Sequence, residues 1–368
     1  MKVWHVGVAA SFEKVCGITN TVWLIAKEQV ELGHEITLLM DKPPDAEVQA
    51  FAKKRKIRLN YVHANQWYYH SECLKKSLFN PPQIVHLHSV YVPRQATLAN
   101  YLRTEKIPYL VTPHGGLQSQ RGGLKKWLYT SLIEKQRFSN AEAITVLSNP
   151  EKKIVESLLS DSHKHLEWIY NPLDTDTLGD AKWQKNIKKN KIIFMGRFDV
   201  FHKGIDILVK LAKKLPNLEF HLYGTEDHRT KKWLKKIKEN LPKNVFFHNP
   251  IYGEEKKQVL VNASVYIHLS RWEVFGVSIA EAMYLGVPCV IANTIDFADI
   301  FKRYNLGLVL PSNISEAATS LQEIFNQPEQ LQEWSVQGKA FAEKYFQPRT
   351  VAQSYLQLYE KILAEYNY

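Results

Sequence analysis

The chain has 368 residues, 45% hydrophobic and 23% charged, with 48 Lys and Arg against 37 Asp and Glu. That length exceeds one ordinary hydrophobic core and predicts two domains of a soluble globular protein. The balance of +11 suits an anionic partner, yet no zinc-knuckle, ribonucleoprotein or helix-turn-helix pattern points to nucleic acid, and no run of about 18 apolar residues points to a transmembrane helix.

Met1-Lys2-Val3-Trp4-His5-Val6-Gly7-Val8 reads as a first buried strand, too short for a signal peptide and without a small-residue cleavage pattern. Short apolar runs at 3–8, 36–40, 58–62, 84–87, 109–112, 143–146 and 167–169 predict strands. Helical patterns such as 18–32 and 95–104 fall between them, an alternation that implies a parallel, doubly wound sheet. After Asn171-Pro172-Leu173-Asp174 and a lysine-rich stretch at 182–190, the pattern restarts with strands at 192–195, 219–222, 245–247, 265–268, 290–292 and 306–310. Helical patterns at 329–345 and 350–366 complete it. The expected organisation is an α/β chain of two Rossmann-like domains, 1–170 and 171–345, with 346–368 a helix that packs back toward the first. Residues 1–170 hold 22 basic and 15 acidic residues, a net +7, and the remainder 26 and 22, a net +4. Cys16, Cys73 and Cys289 form no framework or CxxC site, which fits a reducing cytosol.

The most informative segment is Glu273-Val274-Phe275-Gly276-Val277-Ser278-Ile279-Ala280-Glu281, following a strand and opening a helix. One carboxylate falls in the strand-to-helix loop and the other on the first helical turn. Between them lie backbone N–H groups whose dipoles favour an anion. Two hydroxyl-binding carboxylates beside a phosphate-binding helix start suit a sugar nucleotide. Ser278-x-x-Glu281 is equally a capping box that merely satisfies orphan backbone donors.

Other strand ends carry further candidates. Gly196-Arg197-Phe198-Asp199, then Lys203-Gly204, places a planar cation and a point charge where α/β sheets bind ligands, a suitable pair for a diphosphate or simply a solvated turn. Cys16-Gly17-Ile18-Thr19 opens a helix after the first strand, where glycine admits a phosphate or only a tight turn; the GxGxxG pattern is absent. Thr112-Pro113-His114-Gly115-Gly116 holds a histidine at a strand end, and His86 reads as core or support. Asp174-Thr175-Asp176 reads as a turn or helix cap and not as a metal site. Trp67-Tyr68-Tyr69-His70 with Leu74 to Phe79 mixes aromatics and lysines, as a membrane-surface or acceptor site would, or as an ordinary half-buried helix does.

Taken in order, Gly17, His114-Gly115, Asn171-x-x-Asp174, Gly196-Arg197, Lys203-Gly204 and the E-x7-E stretch ending Glu281-Ala282-Met283 resemble the GT-B retaining glycosyltransferases of family 4, the group 1 glycosyl transferases. The resemblance spans nearly the whole chain and implies two Rossmann-like domains with an interdomain cleft. It implies that Arg197 and Lys203, with the Gly17 loop, hold the donor diphosphate. Glu281 would bind the ribose, and Val274, Phe275, Gly276 and Val277 would hold the sugar and phosphate through their backbone. Glu273 would face the reacting sugar, His114 would touch its far hydroxyl, and Ile251 would lie against the nucleobase. It implies catalysis without metal or cofactor, the nucleotide sugar being the substrate, and front-face attack with the leaving phosphate taking the acceptor proton.

Departures from the pattern are the single glycine of the first loop, Asn249-Pro250 in place of a commoner glycine, and Gly224-Thr225 without a second glycine. The leading expectation is a retaining hexosyltransferase using a UDP-sugar, favoured over a GDP-sugar, and acting on a saccharide or lipid-linked saccharide in polysaccharide biosynthesis. A sugar-nucleotide epimerase of the same fold and a non-catalytic nucleotide-sugar-binding protein are the alternatives. The implied location is cytoplasmic, with peripheral contact at the inner membrane face, and nucleic acid is not an expected partner.

Overall fold

Runs of Val, Ile and Leu too short for helices are buried on both faces when they pair side by side, and that is their fate here. A computed structural model describes residues 1–12, 17–118, 123–159, 165–184, 190–237 and 240–366; Cys16, Lys238 and most of the stretch 182–190 lie outside them. The chain divides into two compact units, Met1–Pro172 with Pro348–Tyr368, and Leu173–Gln347.

In the first unit the strands are β1 Lys2–Val6, β2 Glu35–Met40, β3 Arg58–Tyr61, β4 Ile84–His88, β5 Tyr109–Thr112, β6 Ala143–Val146 and β7 Leu166–Trp168. They form one parallel sheet in the order β3-β2-β1-β4-β5-β6-β7. Central β4 is buried along its whole length, while edge strands β3 and β7 are half-exposed. The final helix, Pro348–Tyr366, packs on the helix Gly17–Glu31. It inserts Val351, Tyr355, Leu356, Tyr359 and Ile362 into the core shared with Val22, Ile25 and Ile36.

The second unit repeats the plan with β8 Lys191–Met195, β9 Glu219–Tyr223, β10 Val245–His248, β11 Val265–His268, β12 Cys289–Ala292 and β13 Gly307–Leu310. Its parallel sheet runs β10-β9-β8-β11-β12-β13. In both sheets the order reverses beside the first strand, between β1 and β4 and between β8 and β11. Crevices at such reversals, outside the carboxyl ends of the strands, are where this architecture binds ligands.

The aromatic segment in the first unit is helical only over Ser71–Ser77. Trp67 and Tyr68 precede that helix on a turn closed by Asn65, whose side-chain oxygen accepts both their N–H groups at 2.7 and 2.9 Å. The half-buried helix read from the sequence is therefore half as long, because the Asn side chain competes with helical pairing. Among the described residues, no helix is long and apolar enough to cross a membrane.

Candidate functional site

In the second unit, four strand ends converge on a cavity of about 420 Å³. The end of β8 contributes Gly196 and Arg197, β9 contributes Gly224 and Thr225, β10 leads to Pro250 and Ile251, and β11 leads to Glu273. Lys203, Gly276, Val277 and Glu281 complete the wall, so most residues singled out in this half of the sequence share one space. Val274 and Phe275 are not part of its lining; the Phe275 ring is buried against Phe297 and Phe346 at 5.7 and 5.2 Å.

Two left-handed glycines bring the charges together. Gly204, at φ 66°, lies so close to the Leu269 carbonyl that a Cβ there would collide with it. This close approach carries Lys203 to Glu273, and the two form an ion pair. Gly276, at φ 62°, is the N-cap of the helix Val277–Tyr284, where its carbonyl accepts the N–H groups of Ile279 and Ala280. The Ser278 and Glu281 side chains do not cap that helix. Ser278 Oγ accepts the Tyr266 hydroxyl at 2.7 Å, and Glu281 meets Lys256 at 2.6 and 2.5 Å through its two oxygens. The capping-box reading is thus wrong, because a lysine and a tyrosine from other elements take both groups.

Burial alone would raise the Glu273 pKa. The His268 hydrogen bond and the Lys203 and His268 charges outweigh it and hold the carboxyl at about 2. His268 Nε2 lies 3.3 Å from Glu273 and 2.9 Å from Ser270 Oγ, while its Nδ1 lies 3.1 Å from the Tyr266 hydroxyl. Burial depresses the His268 pKa against the pull of Glu273. Arg197 differs from Lys203 and Lys256: it is exposed and makes no ion pair among the described residues.

Sequence reasoning missed Lys256 and His268. Lys256 has the same local context as Lys257, which pairs with Glu254 at 2.6 Å instead. Only the turn of the helix Gly253–Val261 separates the two. His268 was legible as a polar residue inside an apolar strand, although not as the partner of Glu273.

Gly17 and His114 belong to the first unit. Gly17 starts its helix exposed, and a Cβ there would meet nothing within 4 Å, so the protein's own packing does not demand glycine. A cavity of about 500 Å³ at the β1–β4 reversal includes the neighbouring Ile18 and Thr19 in its lining. His114 sits at φ 52°, a strained conformation for a non-glycine residue. Its two ring nitrogens are 2.9 Å from His88 Nδ1 and 3.1 Å from Asn171 Oδ1.

That pair is the end of a longer chain. Gln29, His5, His88, His114 and Asn171 are linked in series by four hydrogen bonds of 2.8, 2.9, 2.9 and 3.1 Å. Burial lowers His5 and His114 to about 4 and His88 well below its ordinary value, so all three rings are neutral near pH 7. Three neutral imidazoles supply three N–H groups for these four bonds. One terminal amide must therefore donate. Gln29 Nε2 is buried without a partner, and turning that amide supplies the missing proton. Each ring then donates from Nδ1 toward Asn171. His5, His86 and His88 also come within ligand distance of a common point, with ring nitrogens inside 4.8 Å of one another. Those nitrogens already serve this chain or, for His86, Tyr359 and Thr112 at 2.7 Å each. His86 is core, as one of its readings held.

Asp174 occupies the N-cap of the short helix Thr175–Leu178, but its side chain accepts no helical N–H. Its carbonyl accepts the Thr177 hydroxyl at 2.9 Å.

Residues 177–341 match the family described as glycosyl transferases group 1, and residues 15–177 match glycosyltransferase family 4. An uncharacterized glycosyltransferase of Bacillus subtilis (strain 168) is 26% identical over 288 residues, covering 76% of this chain and 78% of that protein. A phosphatidyl-myo-inositol mannosyltransferase of Mycolicibacterium smegmatis is 22% identical over 320 residues, covering 82% and 78%. Among solved structures, a sucrose-phosphate synthase from Thermosynechococcus elongatus superposes with a TM-score of 0.77 at 18% identity, covering 99% of both chains. The Anabaena protein HepE in complex with UDP does so at 0.76 and 16%, covering 98% of this chain and all of its own. These likenesses establish the GT-B fold.

Proposed function

The chain belongs to the group 1, family 4 glycosyltransferases, and from that premise we propose that it transfers a hexose with retention from a UDP-sugar to a saccharide or lipid-linked saccharide. The observation that carries the reading is the convergence of Arg197, Lys203, Glu273 and Glu281 on one cavity at the carboxyl ends of β8 to β11. A sugar nucleotide needs cations for its diphosphate and carboxylates for its hydroxyls, and this wall offers both. In the proposed roles, Arg197 and Lys203 hold the diphosphate, Glu281 the ribose, and Ile251 the base. Glu273 stabilises positive charge developing at the reacting carbon. The backbone of Gly276 and Val277, which line the cavity, holds sugar and phosphate.

The leaving diphosphate is neutralised by side-chain cations and the helix start, so no metal or other cofactor takes part. The acceptor attacks on the leaving-group face, and a phosphate oxygen takes its proton. His114 already spends both ring nitrogens within the protein. To meet a sugar hydroxyl it must exchange the Asn171 amide for that hydroxyl. The acceptor belongs to polysaccharide or glycolipid synthesis on the cytoplasmic side, with peripheral membrane contact.

Calorimetry with UDP, GDP and their sugars tests the binding half. UDP should bind more tightly than GDP, and Arg197→Ala should weaken it by roughly 1.5–3 kcal/mol. Incubation with labelled donor tests the chemistry: transfer or hydrolysis supports the proposal, and epimerised donor or an inert donor overturns it.

A further inference from the structure

Helices on protein surfaces normally turn apolar residues inward and polar residues outward. The continuous helical stretch Leu124–Tyr129, Thr130–Glu134 and Lys135–Ser139 does the reverse over most of its length. Its inner face is held by polar groups. Glu134 and Arg137 are buried as an ion pair; Glu134 also accepts the Tyr91 N–H at 2.6 Å, and Arg137 donates to Gln95 and the Ser89 carbonyl at 3.0 and 2.9 Å. The Thr130 and Tyr91 hydroxyls meet at 3.0 Å.

Outside, Leu124 is 72% exposed, Trp127 62% and Leu132 66%, with Leu128 and Ile133 also exposed. Positions 124, 127, 128 and 132 lie three or four apart and form one stripe. Lys125 and Lys135 are exposed beside it, and the only acid in the stretch, Glu134, is turned inward. The free surface therefore carries exposed apolar side chains and only basic charges, beside the neutral Gln136 and Ser139. A second copy of the chain would set like charges against each other. An anionic lipid surface answers both features, burying the stripe among acyl chains and placing the lysines among phosphates. The excess of 22 basic over 15 acidic residues in 1–170 acts in the same direction.

We propose that the stripe Leu124, Trp127, Leu128 and Leu132, flanked by Lys125 and Lys135, is the surface by which this protein docks on anionic phospholipid. This deepens the proposed function by naming where a lipid-linked acceptor would be met. It rests on that reading only for its purpose, since docking needs no sugar chemistry. Trp67, Tyr68 and Phe79 are the main competing exposure on this unit, with Tyr61 and Trp168 more weakly exposed, but buried Tyr69 and Leu74 interrupt the run between Tyr68 and Phe79.

The test is co-sedimentation of the full chain with phosphatidylcholine vesicles, with and without phosphatidylglycerol, alongside calorimetry with UDP. The protein should sediment with the anionic vesicles, less so as salt rises. Leu124→Glu with Leu132→Glu should lower that partition about tenfold or more, and Lys125→Glu with Lys135→Glu should weaken its salt dependence. Phe79→Glu should leave partition unchanged. The exposed positions tolerate Gln, so Leu124→Gln with Leu132→Gln repeats the test if the charged pair lowers the melting temperature. Absence of anionic-vesicle binding overturns the proposal, as does loss confined to Phe79→Glu. A wild-type dimer that the leucine variants convert to monomer would instead assign the stripe to a second copy. Unaltered UDP binding in every variant keeps this outcome separate from the fate of the donor site.

Discussion

Lys203→Met isolates the ion pair at the centre of the second unit's cavity. Both partners are mostly buried, at 16% and 19% side-chain exposure. Losing one partner of a buried pair costs about 3–5 kcal/mol, which partial exposure here discounts to about 2–4 kcal/mol. The carboxyl's acidity gives an independent figure. The gap between its value of about 2 and the ordinary 4.5 corresponds to about 3 kcal/mol, to which His268 also contributes. The folded-state value is depressed, so this stabilisation is complete above pH 4.5 and is lost as pH falls toward 2.

Chemical denaturation of wild type and variant across pH is the assay. The variant should be less stable by about 2–4 kcal/mol near neutrality, and the difference should shrink through the window in which Glu273 protonates. Buried His5 and His114 add acid sensitivity between 6.5 and about 4, because their neutral forms are the folded ones. That loss is common to both proteins and cancels in the difference. A Glu273→Gln, Lys203→Met double variant should cost less than the two singles together. A stability difference that is absent at neutral pH, or constant across the acid window, would refute the reasoning.

Gly224→Ala should abolish UDP binding in calorimetry and lower the melting temperature, since a Cβ there lands on the Gly196 carbonyl oxygen in the same cavity wall. Glu281→Gln should raise the donor KM more than it lowers kcat in steady-state assays; because it takes the charge out of the mostly buried Lys256 pair, it should also lower stability by about 1–3 kcal/mol. Transfer should persist in EDTA, and loss restored by Mn²⁺ would remove the metal-free mechanism. Truncation after Gln347 should expose the first unit to limited proteolysis, because six apolar residues of the final helix, Val351, Tyr355, Leu356, Leu358, Tyr359 and Ile362, lie in its core and each is worth about 1.5–3 kcal/mol.

The central strands were legible because they are short apolar runs buried on both faces; the reading at 109–112, 143–146 and 265–268 coincides with the observed limits. Strand ends were legible for the same reason, and with them Arg197, Lys203, Glu273 and Glu281. What the sequence hid is everything set by side-chain partners from distant elements. Ser278 and Glu281 matched a local cap, but Tyr266 and Lys256 won them, as tertiary contacts outcompete a local bond of about 1 kcal/mol. His5, His88 and His114 lie far apart in the sequence, and of the three only His114 stood out there. Only the pairing of β1 with β4, which sets His5 beside β4, and the loop after β5 make them consecutive links. The outward stripe at Leu124 to Leu132 was invisible because its helical periodicity is the ordinary one; only the buried Glu134–Arg137 pair shows which face is turned in.

The apo charges also decide how the two cations of the proposed diphosphate clamp must differ. Lys203 is already neutralised by Glu273, and Lys256 by Glu281. A diphosphate that recruits Lys203 exchanges one ion pair for another, so the net electrostatic gain is the difference between them and not the whole of the new contact. The exchange leaves Glu273 with His268 alone and raises its negative potential just where the proposed mechanism needs a stabilising carboxylate. Among the described residues Arg197 makes no such ion pair, although its charge helps lower the Asp227 carboxyl's pKa, so its contact with the diphosphate surrenders less than that of Lys203. Arg197→Ala should therefore weaken UDP binding and leave stability nearly unchanged, whereas Lys203→Met should weaken both. If the two variants lose stability equally, Arg197 is part of the folded network and not a cation held in reserve for a ligand.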